Sequence, residues 1–152
     1  MRHLLLFVHD LGFVLWMGGS FAAMGTGMLM QQLARNELGG AMAVQGRLLR
    51  GMTLPGVVMV VLSGLLMTLR LYGAASAVSG FPMSLMLMQA AGLLAAGITL
   101  VVTVPTLTRL LRLDPVGPHA ALFDALRRRM RMTEIIAGAL AVVALIGGVL
   151  LR

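Results

Sequence analysis

The chain has 152 residues, of which 59% are apolar and 11% charged, and its formal net charge is +7. This composition excludes an ordinary soluble globule and leaves no room for a separate soluble domain, so we expect one domain over residues 1–152. The chain has neither cysteine nor lysine, which excludes disulfides, cysteine-ligated metal or iron–sulfur sites, and amine catalysis by lysine.

Four apolar stretches account for most of the chain, and each is long enough to cross a bilayer. About 20 apolar residues in a helix span the hydrocarbon core of a membrane. The sequence therefore predicts an all-α integral membrane protein, a four-transmembrane-helix bundle. The first stretch is too long for the apolar region of a signal peptide and contains Asp10, so it is expected to be a retained helix. The predicted spans are 4–30, 52–72, 83–111 and 135–151.

The arginines predict the orientation of these spans. Nine of the twelve lie between spans 1 and 2 or at the facing ends of spans 3 and 4, and three lie on the other side. The positive-inside rule then places both loops in the cytoplasm and both termini outside, in the inner membrane of a bacterial cell. The cluster at 127–131 is expected to face anionic membrane lipids, so we do not interpret the charge as a sign of nucleic-acid binding.

Ionisable and amide side chains inside a span are costly and mark candidate functional sites. The candidates near the outer ends of the spans are His9 and Asp10 in span 1, Arg70 in span 2 and Gln89 in span 3. We expect these four to meet in one layer, with Asp10 and Arg70 as an ion pair. His9, Gln89 and Arg70 are therefore the predicted cofactor-binding residues. Glu134 lies at the start of span 4, where the positive end of the helix dipole and a neighbouring arginine are expected to stabilise its carboxylate.

His9 is the strongest candidate ligand. It shares a helix face with Gly12 and Trp16, so it should point into a helix contact and not towards lipid. It can ligate a haem iron, a chlorophyll-type magnesium or copper. Alternatively, it is a neutral imidazole hydrogen-bonded to Gln89 or to a backbone carbonyl. No second histidine lies at this depth, so the other axial ligand of a haem would be a methionine such as Met67, Met86 or Met88.

Other features of the spans have simpler interpretations. The 14 methionines are spread over all four spans, which favours gap filling over copper binding. Gly19, Ala23 and Gly27 form a stripe of small residues that lets another helix approach closely. Pro55 is predicted to lie in the first turn of span 2, and Pro105 is predicted to kink span 3. The segment 73–82 is predicted to be a hairpin connection, and 120–131 to extend span 4.

Three stretches resemble a known family. The opening helix reads VHDLGFVLWMGG at 8–19, a histidine followed by an apolar run, a tryptophan and small residues. It is similar to the first helix of small membrane proteins of the CopD type and of HemJ-type protoporphyrinogen oxidases. The segment LRGMTLP at 49–55, followed by Gly64 and Leu65, resembles the start of the second HemJ-type helix. The segment RMTE at 131–134 resembles the entry to that family's last helix.

The resemblance implies a four-helix membrane bundle that holds haem b through the first-helix histidine, here His9. It also implies a third-helix lysine needed for oxidase activity. This sequence has no lysine and reads MQA at 88–90 in the matching region. The resemblance therefore supports haem binding better than porphyrinogen oxidation, and whether the chain is an enzyme stays open.

Two functions are expected nearly equally. The first is a membrane protein that binds haem b through His9. The second is a non-catalytic accessory subunit, which packs by its glycine- and methionine-rich faces into a larger membrane complex or a homo-oligomer. An oxidase with altered residues and a copper-handling protein are the remaining alternatives. A visible absorption spectrum of the purified protein separates the pigmented from the unpigmented cases.

The distribution of arginines gives the first testable prediction. A reporter enzyme that is active only outside the cytoplasm, fused after Arg152, should be active, because nine arginines hold the opposite side in the cytoplasm. The same reporter inserted between residues 116 and 117 is the control and should be inactive. Activity at the inserted position with none after Arg152 would reverse the predicted orientation.

Overall fold

The computed structural model describes residues 2–71, 73 and 82–150, and within them the chain forms helices and no strands. A short 3₁₀ turn, Arg35–Glu37, precedes the second helix. The predicted hairpin at 73–82 lies outside the described residues apart from Gly73 and Pro82. The α-helices are α1 (Arg2–Leu29), α2 (Leu38–Leu48), α3 (Leu54–Leu71), α4 (Met83–Ile98), α5 (Val104–Leu110) and α6 (Ala120–Val149).

Four helical rods are long and apolar enough to cross a membrane, which confirms the predicted all-α class with four spans. They cover His3–Leu29, Arg35–Arg70, Met83–Leu110 and Ala120–Val149. The arginine-bearing segment 120–131 is continuous with the fourth span, as predicted. We call the end of the bundle formed by residues 30–38 and 111–131 the arginine-rich end. By the length and composition of its helices, the chain is a multi-pass membrane protein.

Two of the rods contain a π-helical segment just before a proline. Leu49–Thr53 joins α2 to α3, and Thr99–Thr103 joins α4 to α5. A proline inside a helix lacks an N–H and clashes with the carbonyl four residues earlier, and a π turn is one way to accommodate it. The prediction that Pro55 opens span 2 is therefore wrong. It lies inside a continuous rod that begins before α2, as Pro105 lies inside the third rod.

α1 packs along α3 through glycines. A Cβ on Gly56 would lie 2.5 Å from the backbone nitrogen of Trp16 and 2.7 Å from the carbonyl oxygen of Gly12. A Cβ on Gly19 would lie 2.6 Å from the Thr53 hydroxyl. The two backbones therefore touch directly, as small residues allow in membrane helices. The predicted small-residue stripe faces the second rod inside the chain, since Gly19 meets Thr53 and a Cβ on Gly27 would lie 3.4 Å from the amide nitrogen of Gln45.

The second pair, α4 and α6, packs in the same way at Gly147, whose Cβ would lie 3.0 Å from the backbone nitrogen of Met88. The pairs are joined by two apolar clusters. The first lies mid-bundle and contains Trp16, Val57, Ala95 and Ala96. The second lies towards the arginine-rich end and contains Met30, Leu38, Met42, Leu49, Leu107, Leu110, Phe123 and Met130.

The glycine crossing gives a prediction with a matched control. Gly56→Ala should lower the free energy of unfolding by about 1–3 kcal/mol or more, because the added methyl group would meet backbone and cannot be accommodated by a side-chain rotation. Gly138→Ala should be neutral or stabilising by up to about 1 kcal/mol, since nothing lies within 4 Å of a Cβ there. Thermal unfolding in one detergent, followed by circular dichroism, measures both. Equal stability of the two variants would contradict the close crossing.

Candidate functional site

His9 points from α1 into the contact with α3, as its helix face predicted. Its Nδ1 lies 3.1 Å from the carbonyl oxygen of Val60 and 3.0 Å from the hydroxyl oxygen of Ser63. The ring packs over Gly64, where a Cβ would lie 3.2 Å from its Cε1. We call these four residues the histidine seat. A side chain at position 64 would force the ring to move.

The hydrogen bonds of the histidine seat determine which ring nitrogen carries a proton. The carbonyl of Val60 can only accept, and the Ser63 hydroxyl donates to the carbonyl of Met59. Nδ1 must therefore be the donor to both, as an N–H shared between two oxygens. In the neutral ring this leaves the lone pair of Nε2 uncommitted and able to ligate a metal. The sequence left Gln89 and a backbone carbonyl as hydrogen-bond partners of a neutral His9, and the structure shows the backbone carbonyl of Val60.

Gln89 does not join His9. Its amide nitrogen donates to the Thr68 hydroxyl at 2.6 Å, and that hydroxyl donates to the carbonyl of Gly64 at 2.9 Å. Thr68 lies five residues beyond Ser63 on α3, which is a rise of about 7 Å. Of the two partners expected for His9, Gln89 is therefore not the one found, because the two side chains bind α3 at different levels.

Asp10 and Arg70 do not form the predicted ion pair. Both side chains are exposed on their helices, and Arg70 lies seven residues beyond Ser63, about 10 Å further along α3. Asp10 is next to His9 and therefore lies at the level of Ser63. Among the described residues the ion pair is Arg35–Asp124, at 2.8 Å. Arg70 is thus separated from the histidine seat by nearly two helical turns.

The methionines proposed as a second axial ligand are not members of the histidine seat. Met67 is four residues beyond Ser63 on α3, a rise of about 6 Å. Met88 packs against Gly147 on α6, and Met86 comes one half-turn earlier on α4. The histidine seat of this single chain therefore offers one strong ligand, the Nε2 atom of His9.

A second polar site lies at the centre of the bundle, towards the arginine-rich end. A cavity of about 20 Å³, the size of one water molecule, opens where the two π-helical segments face each other. Gln45 is 2% exposed, and its amide nitrogen donates to the carbonyl of Ala23 at 2.7 Å. The polar side chains that line this central cavity are Ser20, Gln45, Thr53, Thr99, Thr103 and Glu134.

The central cavity connects to a groove at the arginine-rich end. A groove of about 250 Å³ lies between α1, α2 and α6, and it shares Gln45, Met130 and Glu134 with the central cavity. A second groove, of about 370 Å³, continues from it and shares Arg127 and Arg131. We call the 250 Å³ groove the inner groove and the 370 Å³ groove the outer groove. Together they lead from the arginine cluster to the bundle centre.

The central cavity was not predicted from the sequence. The predicted spans left Gln45 between spans 1 and 2 and put Thr53 at the start of span 2, whereas both residues lie within one continuous rod. One signal was present, because the rods share the pattern threonine, aliphatic residue, proline at 53–55 and 103–105. Prolines inside long apolar stretches mark helix irregularities, and π-helical segments are frequent at functional sites.

The fold and these sites define a class, a four-helix membrane protein with an internal histidine and a polar cavity at its centre. Among the described residues, no three histidine, aspartate or glutamate side chains come together as a metal-binding group. In comparisons with known proteins, no family model, no curated protein and no solved structure matches this chain.

The histidine seat predicts the tautomer of His9. In mildly alkaline buffer the protein should show an imidazole with a protonated Nδ1 and an unprotonated Nε2, because Nδ1 donates to Val60. Nitrogen-15 NMR of histidine-labelled protein measures this, and the His9→Gln spectrum identifies the His9 signals. A protonated Nε2 with a bare Nδ1 would contradict the hydrogen bonds described here.

Proposed function

We propose that this protein binds haem b through Nε2 of His9 in the membrane. The observation that supports the proposal most is the pair of acceptors at Nδ1, Val60 and Ser63. An outer partner that accepts a hydrogen bond from the far nitrogen fixes the ring and makes the ligating nitrogen more basic. The resemblance of segment 8–19 to haem-binding families points to the same residue.

The residues of the histidine seat fit a haem ligand. His9 is half-buried, so its ring is neither sealed inside the bundle nor free in lipid. Gly64 leaves the space that the ring occupies, and Ser63, which is 2% exposed, is held by its own bond to Met59. A bound haem would supply one-electron redox chemistry, and its potential would depend on its axial ligands and surroundings.

His9 alone is proposed as the ligand. Gln89 and Arg70 lie at other levels of α3 and are not part of the proposed ligand set. The absence of lysine gives no support to a porphyrinogen oxidase of the HemJ type. We place the protein in the inner membrane of a bacterial cell, with the arginine-rich end in the cytoplasm and both termini outside.

The accessory-subunit alternative has less support from the packing. It relies on glycine faces that are open to a partner, whereas Gly12, Gly19 and Gly56 are used in the crossing of α1 and α3. Gly147 is used in the contact of α4 with α6. Open glycines remain at Gly25, Gly97 and Gly138, where a homo-oligomer or a larger complex would pack.

Absorption spectra of the purified protein test the haem proposal. Protein expressed with haem supply should show a Soret band, and His9→Ala should lose it without losing membrane insertion, because the arginines that set topology are unchanged. His119→Ala is the matched control and should keep the band, since His119 precedes α6 at the arginine-rich end. A band that survives in His9→Ala would overturn the ligand assignment.

If the purified wild-type protein has no Soret band and gains none after reconstitution with haem, the haem proposal is wrong. In that case co-purification of a partner membrane protein would support the accessory-subunit alternative. His9 would then be a packing residue whose hydrogen bonds satisfy the α1 and α3 contact.

A further inference from the structure

The inner groove is a candidate binding site that lies apart from the histidine seat. Its walls come from the last two turns of α1, from α2 and from the first half of α6. The end of α1 also marks the end of the first apolar span. The groove therefore lies where the hydrocarbon core meets the headgroup region at the arginine-rich end.

The groove carries opposite charges at neighbouring positions. Arg127 and Arg131 lie one turn apart on α6, and both also line the outer groove that leads to the surface. Glu134 lies one turn further along the same helix and lines the central cavity as well. Residues three and four apart share a helix face, so the groove presents two guanidinium groups and then a carboxyl group.

The inner end of the groove holds an acceptor without a donor. Gln45 lines both the inner groove and the central cavity, and its amide nitrogen is bound to Ala23. Its Oε1 is buried and has no hydrogen-bond partner among the described residues. A buried acceptor left unpaired is destabilising, so a molecule that brings an N–H or O–H donor to this place relieves that cost.

The rest of the wall is apolar. Met24, Met28 and Ile135 line the groove, and the side chains of Met28 and Ile135 are exposed on the outside of the bundle. Methionine adapts its shape to a flexible apolar ligand. A molecule in the groove can therefore keep an apolar chain in the membrane while its polar part reaches between α1 and α6.

From these features we infer that the inner groove binds the headgroup of a phospholipid with a primary amine, of the phosphatidylethanolamine class. The phosphate lies on Arg127 and Arg131, as basic pockets between membrane helices bind lipid phosphates. The ammonium donates to the Glu134 carboxylate and to Oε1 of Gln45. A two-carbon linker separates phosphate from ammonium, and one helical turn separates Arg131 from Glu134.

The carboxyl group distinguishes this ligand from a simple anion. An anionic headgroup without an amine would bring its charge near Glu134 and would leave Gln45 unpaired. A choline headgroup carries a positive charge but no N–H, so it cannot donate to either oxygen. The groove is therefore expected to select the amine, whereas the arginines alone would accept any phosphate.

A series of lipids that differ only in methylation of the amine tests this inference. The probes are phosphatidylethanolamine, its monomethyl and dimethyl forms, and phosphatidylcholine, all with the same acyl chains. Native mass spectrometry of the delipidated protein measures how much of each is bound. Binding should fall along the series, with an overall loss of about tenfold, which is a modest difference in affinity.

Two variants separate the roles of the charges. Glu134→Gln keeps the shape of the side chain and should abolish most of the preference for the amine. Arg131→Gln should weaken the binding of all four lipids to the same extent and leave their order of affinity unchanged. Asp10→Asn and Arg112→Gln remove the same charges outside the groove and are the controls, which should bind as the wild type does.

Four outcomes would overturn the inference. Equal binding of the amine and choline lipids would show that the groove does not recognise the amine. Tighter binding of phosphatidylglycerol than of phosphatidylethanolamine would show a site for anions only. Retention of no lipid at all by a folded protein, or a preference for the amine that persists in Glu134→Gln, would place the ligand elsewhere. None of these results depends on haem binding.

Discussion

The crossing of α1 and α3 at Gly12 and Gly56 is the contact on which the rest of the structure depends. In a bilayer the lipid tails are as apolar as the helices, so close van der Waals packing must hold the helices together. This crossing sets the register of one helix against the other. The ring of His9 then meets Ser63 and Gly64, and Gly19 meets Thr53 about three turns further along.

The same close packing explains why polar groups are tolerated inside. Ser63, Thr68 and Thr99 each donate to a carbonyl four residues earlier on their own helix. Such bonds satisfy the hydroxyl hydrogen without a partner helix and leave its lone pairs free to accept. The Ser63 oxygen uses this capacity for His9, and the Thr68 oxygen uses it for Gln89. The hydroxyl oxygens of Ser63 and Thr68 can therefore accept a hydrogen bond from a side chain on a neighbouring helix.

The sequence was sufficient for the parts of the structure that depend on composition and local periodicity. Apolar length predicted four spans, and the spacing of His9, Gly12 and Trp16 predicted the face that α3 covers. Depth counted from span ends was less reliable, because it assumed that each span begins at the first apolar residue. Asp10 and Arg70 were paired on that assumption, and the register of α1 against α3 separates them.

The polar cavity was missed for a different reason. Gln45 lies in the glycine-containing stretch between predicted spans 1 and 2, and its bond to Ala23, with the burial of Leu38 and Met42 on the same helix, makes this stretch part of the bundle. The local pattern also predicted that Pro55 lies in the first turn of a helix, since a proline is favourable at that position. A local sign of the π-helical segment between them was the pattern threonine, aliphatic residue, proline at 53–55, which recurs at 103–105.

The first π-helical segment has a consequence for how the second rod can change. Gln45 and Thr53 are eight residues apart, and in an unbroken α-helix they would point about 80° away from each other. The wider turn at Leu49–Thr53 absorbs one residue, so both side chains face α1. Straightening this turn into a regular α-helix of the same number of residues would restore the offset of about 80°, whereas losing one residue between them would leave Gln45 and Thr53 within about 20° of each other. The wider turn therefore keeps these two side chains on the same side of one rod, because it accommodates the extra residue.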